Sequence, residues 1–112
     1  MSFFHHHTGG NATIPNARLV VQRVEWEAGQ DADMVQRNYY DPKEYNPGHD
    51  VLLVSGTHDL FGDGRVVRLP TYGHTPGHQS LRVRLDSGEV VLTGDACYLR
   101  RTLRNLPPWP IL

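Results

Sequence analysis

Short apolar runs alternate with polar, glycine- and proline-rich stretches along this chain, and the runs have the length of strands rather than helices. Residues 18–22 (Arg-Leu-Val-Val-Gln) predict a short buried strand entered from the breaker Pro15-Asn16. Residues 24–34 mix charges with scattered apolar positions and predict a helix starting at Glu25, with Gly29 as its weak point. Residues 38–50 are rich in Tyr, Pro, Asn and Gly without periodicity, which predicts a long surface loop of the kind that forms lids or specificity elements. Val51-Leu52-Leu53-Val54 predicts a strand, Gly62-Asp63-Gly64 a hairpin turn, and Val66-Val67-Arg68-Leu69 its return strand. Leu81, Val83 and Leu85 alternate with Arg82, Arg84 and Asp86, the pattern of a strand with one buried and one wet face. Asp86-Ser87-Gly88-Glu89 then turns the chain into Val90-Val91-Leu92-Thr93, which ends at Gly94-Asp95. The proline-rich segment 105–110 continues neither helix nor strand.

Composition narrows this picture to one small, sheet-forming chain. There are 112 residues, of which 38% are apolar, below the roughly 45–50% usual for a self-contained globular fold. Eleven glycines and eight prolines argue against a helical bundle. A net charge of −1 removes the basic excess that nucleic acids and anionic membranes reward. No apolar run has the length of a membrane span, and no signal segment opens the chain. The single cysteine, Cys97, excludes an internal disulfide and fits a reducing, cytoplasmic compartment. Nucleic-acid and membrane partners are therefore not expected.

The chemistry gathers in two places. Thr71-Tyr72-Gly73-His74-Thr75-Pro76-Gly77-His78-Gln79-Ser80 sets histidines in a tight loop, and Leu92-Thr93-Gly94-Asp95-Ala96-Cys97-Tyr98 sets a carboxylate just past a strand. One β-hairpin between them would return both to the same sheet edge, where an imidazole and a carboxylate suit a divalent metal. Taken singly, His74 reads as a surface or hydrogen-bonding residue, and Asp95 as the cap of a helix starting near Ala96. Taken together they read as ligands. His78 reads as a group that orients loop and ligand by hydrogen bonding. Tyr98, three residues past Asp95, is either a half-buried aromatic or a phenol near the metal.

These two segments resemble the metallo-β-lactamase superfamily, and within it the quorum-quenching N-acyl-homoserine lactonases. His-Thr-Pro-Gly-His (residues 74–78) and Thr-Gly-Asp (93–95) are shared across the superfamily, while Gln79-Ser80 and Tyr98 point to the lactonase branch. Residues 20–27 and 59–64 also resemble segments of that branch. The resemblance implies an α/β (α+β) fold, a partial αββα sandwich with mostly antiparallel or mixed sheet and a flanking helix. It implies a zinc-dependent hydrolase that opens the lactone ring with a zinc-activated hydroxide, acting on a small-molecule lactone or related ester. By position, His74 matches a metal-binding histidine, Asp95 the carboxylate that bridges two zinc ions, and Tyr98 the tyrosine that contacts the lactone's carbonyl or leaving oxygen.

The family's remaining ligands come from a His-x-His-x-Asp-His motif ahead of Gly-Gly-Asn, and from a later histidine. Thr8-Gly9-Gly10-Asn11 is the sequel to that motif, so His7 matches its last histidine. Without a gap, Ser2 and Phe4 fall on the first two histidines and His6 on the aspartate. With one residue lost, His5 stands for the second histidine and Phe3 for the first. A third reading makes His5-His6-His7 a polar run or tag remnant, against which the following Thr-Gly-Gly-Asn speaks. His7, His74 and Asp95 are the assignable ligands, a set for at most one zinc rather than the family's two. The chain reads as a single partial domain, residues 1–112, truncated at both ends. Three functions stay open: a lactonase, another superfamily hydrolase such as a glyoxalase II-like thioesterase, or a non-catalytic fragment whose sheet faces need a partner.

Overall fold

The computed structural model describes residues 5–46 and 48–98, without the side chains of His5 and His6. The alternatives for residues 2–4, and the proline-rich segment 105–110, lie outside the described residues. The elements run α1 (His5–Thr8), a 3-10 turn (Asn11–Thr13), β1 (Leu19–Gln22), α2 (Arg23–Gln30), α3 (Ala32–Arg37), α4 (Pro42–Tyr45), β2 (Val51–Val54), β3 (His58–Asp59), β4 (Val66–Pro70), β5 (Gln79–Leu85), β6 (Gly88–Leu92) and a second 3-10 turn (Gly94–Ala96).

Two sheets result. β1 and β2 pair in parallel, Leu19 opposite Val51 and Gln22 opposite Val54, and the three helices between them make the crossover a parallel pair requires. The other sheet is antiparallel in the order β3-β4-β5-β6. Residues 51–54 therefore do not form the expected hairpin with β4. The strand returning through the Gly62-Asp63-Gly64 turn pairs with His58–Asp59, because the apolar run at 51–54 finds its partner in β1.

The core sits between β1 and the helices. Leu19 and Val21 share one face of β1 and pack onto Ala28, Tyr40 and Tyr45, with Trp26, Met34, Val35, Val51 and Leu53 around them. On α2 the buried positions are Glu25, Ala28 and Gly29, the spacing of one helical face. This helix begins at Arg23, directly after β1, rather than at Glu25. It also stops at Gln30 instead of running on, because Asp31 is extended and its carboxylate accepts the Met34 N–H at 3.0 Å, capping a new helix, α3. The weak point is thus Asp31, and Gly29 remains helical. The Tyr45 hydroxyl donates to the Gly29 carbonyl at 2.7 Å, satisfying one of the orphaned acceptors at the end of α2.

Residues 38–50 are not a plain surface loop. Asp41 caps α4 by accepting the Lys43 N–H at 3.0 Å, and Tyr40 and Tyr45 are buried in the core. Aromatic residues without periodicity signal a loop from sequence, yet here they fill volume under β1. The one-sided alternation expected for β5 is also weaker than its sequence implies. Leu85 is 49% exposed, and every position of β6 is exposed, including Val90, Val91 and Leu92. None of the described helices is long and apolar enough to cross a membrane.

Candidate metal centre

Antiparallel pairing decides where the site lies. Leu81 near the start of β5 faces Leu92 at the end of β6, so the loop entering β5 and the turn leaving β6 share one sheet end. The entering loop is closed at its stem by the Thr71 N–H, which donates to the His78 carbonyl at 3.0 Å. Inside it the Gly73 N–H donates to the Thr75 carbonyl at 3.1 Å.

Glu25 fixes the loop from α2. Its Oε2 accepts the Gly77 N–H at 2.6 Å and its Oε1 accepts the Tyr40 hydroxyl at 3.1 Å, with Glu25 itself fully buried. Gly77 is required by this approach, since a Cβ there would lie 2.4 Å from the Glu25 Cβ and 2.7 Å from its backbone nitrogen. Burial raises the Tyr40 phenol far above its ordinary pKa, and the Glu25 charge adds to the rise. Burial likewise pushes Tyr45 up to about 12.

At the other side of the site, Gly94 takes a left-handed conformation at φ +54°, and a Cβ would meet His78 Nε2 at 3.0 Å. That tight turn lets the Asp95 N–H donate to His78 Nε2 at 3.2 Å. Thr93 holds the N-cap position of this turn without a side-chain bond and Asp95 lies inside it, so Asp95 does not serve as a helix cap. Nε2 of His78 is then an acceptor and Nδ1 carries the proton. It reaches the Thr71 carbonyl at 3.1 Å and Oγ1 at 2.9 Å. Ser80 donates to the Thr93 carbonyl at 3.1 Å, which leaves Thr71 Oγ1 to donate to Ser80 Oγ at 2.8 Å. Burial holds His78 below the ordinary imidazole pKa, and the neighbouring His74 adds to this. His78 is a neutral, buried strut under Asp95, as its sequence position led one to expect.

His7, His74 and Asp95 meet above this strut. The Nε2 atoms of His7 and His74 lie 2.5 Å and 3.1 Å from the same Asp95 oxygen, Oδ2. Their candidate ligand atoms all fall within 4.8 Å of one another. The His7 and His74 rings are edge-to-face at 5.6 Å, and those of His74 and His78 at 5.7 Å. Two imidazole nitrogens and a carboxylate oxygen this close form a donor set for one borderline divalent ion, with room left in its coordination shell. Tyr98 stands at the edge and is 72% exposed. Local desolvation and the Asp95 carboxylate beside it, which its hydroxyl also meets, raise its phenol above the usual value.

Three supporting residues, and one buried cation beside the site, escaped the sequence reading. Glu25 is one. Glu44 is another: its carboxylate accepts the Thr8 hydroxyl at 2.7 Å and its carbonyl accepts the Asn11 amide at 2.8 Å, which ties α1 and thus His7 to α4. Thr71 completes the strut. The cation is Arg68, buried to 3% on β4, with no acceptor for its Nη1 among the described residues and its pKa pushed down to about 10 by burial. Partners this distant in sequence leave no local signal. The one clue was an arginine inside the apolar run 66–69.

The metallo-beta-lactamase superfamily profile matches residues 6–111. The chain belongs to that superfamily. An N-acyl homoserine lactonase AttM of Rhizobium radiobacter is 41% identical over 98 residues, which are 82% of this chain and 37% of the relative. An N-acyl homoserine lactonase of a Bacillus species is 34% identical over 104 residues, 92% of this chain and 39% of the relative. Among solved structures, an N-acyl homoserine lactone hydrolase with the product N-hexanoyl-L-homoserine at its catalytic metal centre superposes with a TM-score of 0.75 at 31% identity, covering 90% of this chain and 38% of that one. A quorum-quenching N-acyl homoserine lactone lactonase gives a TM-score of 0.76 at 31% identity, covering 90% and 40%. The chain thus spans under two fifths of its curated relatives' length, and the mixed fold with its antiparallel sheet is part of a metallo-beta-lactamase fold. Membership implies a metal cofactor, and the donor set His7, His74 and Asp95 fits one ion.

Proposed function

We propose that this chain carries a single-zinc centre of a lactone hydrolase directed at N-acyl homoserine lactones. His7, His74 and Asp95 are the ligands, and Asp95 and Tyr98 are the groups nearest the chemistry. The observation that carries the reading is the convergence of two imidazole nitrogens on one Asp95 oxygen, in a chain similar to proteins named as N-acyl homoserine lactonases. A bound zinc supplies Lewis acidity toward an ester carbonyl and the means to form a nucleophile from water near neutral pH. The protein's part is positional. His78, kept neutral by burial and by the Asp95 N–H, holds the Asp95 backbone so that its carboxylate faces both histidines. Tyr98, its pKa raised, keeps its proton at neutral pH and donates it as a hydrogen bond to the oxygen that gains charge when the ring opens.

Equilibrium dialysis against zinc, followed by metal analysis, tests the site. One ion per chain is expected, lost in His74→Ala and in Asp95→Ala, whereas two tightly held ions would overturn the single-ion reading. Proton release from N-hexanoyl homoserine lactone by the zinc-loaded chain tests the activity. A folded, zinc-loaded chain that cleaves thioesters and leaves lactones intact would place it with the glyoxalase II-like hydrolases instead.

A further inference from the structure

A cleft of about 470 Å³ opens beside the metal centre, between one face of the antiparallel sheet and β1. Strand register explains its lining. Arg68, Leu81 and Leu92 are directly paired across β4, β5 and β6, so their side chains share a face. Val20 reaches the cleft from β1, and Gln79 donates to the Val20 carbonyl at 3.2 Å across its floor. Leu60 closes another side. Apolar side chains thus share the walls with two arginines, Arg18 and Arg68, and with His7 and His78 at the metal end.

Of the two arginines, Arg68 is the anomaly. Arg68 is 3% exposed, no ion pair reaches it among the described residues, and its Nη1 is buried without an acceptor. Buried guanidinium groups are ordinarily matched by a carboxylate or phosphate, because their fork of donors and their charge both need an answer. The other arginine on the cleft, Arg18, is already paired with Asp50 at 2.6 Å. One unanswered positive charge remains, and it sits among leucine and valine side chains. A neutral acceptor would satisfy donors but leave the charge, and a phosphate dianion would bring more charge than one arginine matches.

We propose that Arg68 anchors the head of a monoanionic, carboxylate-bearing ligand whose apolar body lies along Leu60, Leu81, Leu92 and Val20. The assignment stands apart from lactone hydrolysis and needs no metal. Isothermal titration calorimetry of the chain with octanoate, octanamide and acetate, each with and without a zinc chelator, tests it. Octanoate should bind in both conditions, at least tenfold more tightly than octanamide or acetate. Arg68→Met should lose that tenfold preference for octanoate over octanamide while leaving octanamide unchanged, and Arg68→Lys should keep most of it. Because Met covers the same stem without a buried charge, Arg68→Met should also raise the urea midpoint of the ligand-free chain. Equal affinity for octanoate and octanamide, octanoate binding unaltered by Arg68→Met, or octanoate binding abolished by the chelator would each overturn the proposal. So would a lowered urea midpoint for Arg68→Met, which would mark Arg68 as an internal structural group. Lactonase failure with these results intact would sink the hydrolase reading alone.

Discussion

His74 and His7 reach the same Asp95 oxygen, yet the molecule holds them by different means. His74 sits in a loop whose neighbours are wired from both sides, by Glu25 at Gly77 and by the His78–Thr71–Ser80 chain that ends on the Thr93 carbonyl. His7 sits on a four-residue helix moored through Thr8 and Asn11 to Glu44. The first half is built of buried groups, Thr71, His78 and Ser80 close together in sequence and Glu25 reaching the loop from 52 residues away. The second depends on a few bonds that reach across more than thirty residues. A rigid half and a moored half meet at one carboxylate, so damage to each should read out differently: in the fold for the loop, in metal affinity for the helix.

Gly77→Ala should have the largest effect. Its Cβ would stand 2.4 Å from a Glu25 stem that cannot swing aside, beyond ordinary overpacking, so a loss of about 3 kcal/mol or more is expected in urea denaturation. A variant of unchanged stability would break the claim that this loop is clamped. Glu25→Gln keeps the shape and removes the charge. Its carbonyl can still take the Gly77 N–H while Tyr40 turns to accept, so a smaller loss of about 2 kcal/mol should follow. Glu44→Ala should sharpen the contrast, weakening zinc binding by roughly tenfold at a stability cost of about 1 kcal/mol. Equal damage to fold and metal affinity would mean the two halves are not separable.

The smallest effect lies away from both halves, in the loop between β3 and β4. Asp59 accepts the Gly64 N–H at 2.7 Å, and the Phe61 and Gly62 N–H groups at 3.3 Å and 3.1 Å. The Gly64 bond leads in holding its pKa below the ordinary carboxylate value. A carboxyl with a depressed folded pKa adds stability above its unfolded pKa of about 4 and loses it as pH falls through the folded value. Wild type should therefore exceed Asp59→Asn slightly in Tm at pH 7, and that margin should shrink below about pH 4. A margin that widened in acid would reverse the assignment.

Much of this was legible beforehand. Four of the strands follow from short apolar runs, and the meeting of His74 with Asp95 follows from one hairpin between a loop and a strand end. Antiparallel geometry leaves few other places for them. The misreadings share a cause. The partner of residues 51–54 was mistaken because pairing is a choice among distant strands, which alternation does not encode. Residues 38–50 read as a surface loop because Tyr40, Glu44 and Tyr45 show no period, although each has a buried or bonded place.

The sequence by itself determined the family, the types of the candidate ligands and the sheet end at which two of them lie, since those depend on local turns and residue chemistry. Only the tertiary structure decided that Glu25 clamps the loop, that Glu44 moors His7, and that Arg68 is buried without an answering charge among the described residues. Those depend on which groups remote in the chain are brought together and shut off from water, and burial is a property of the packed whole.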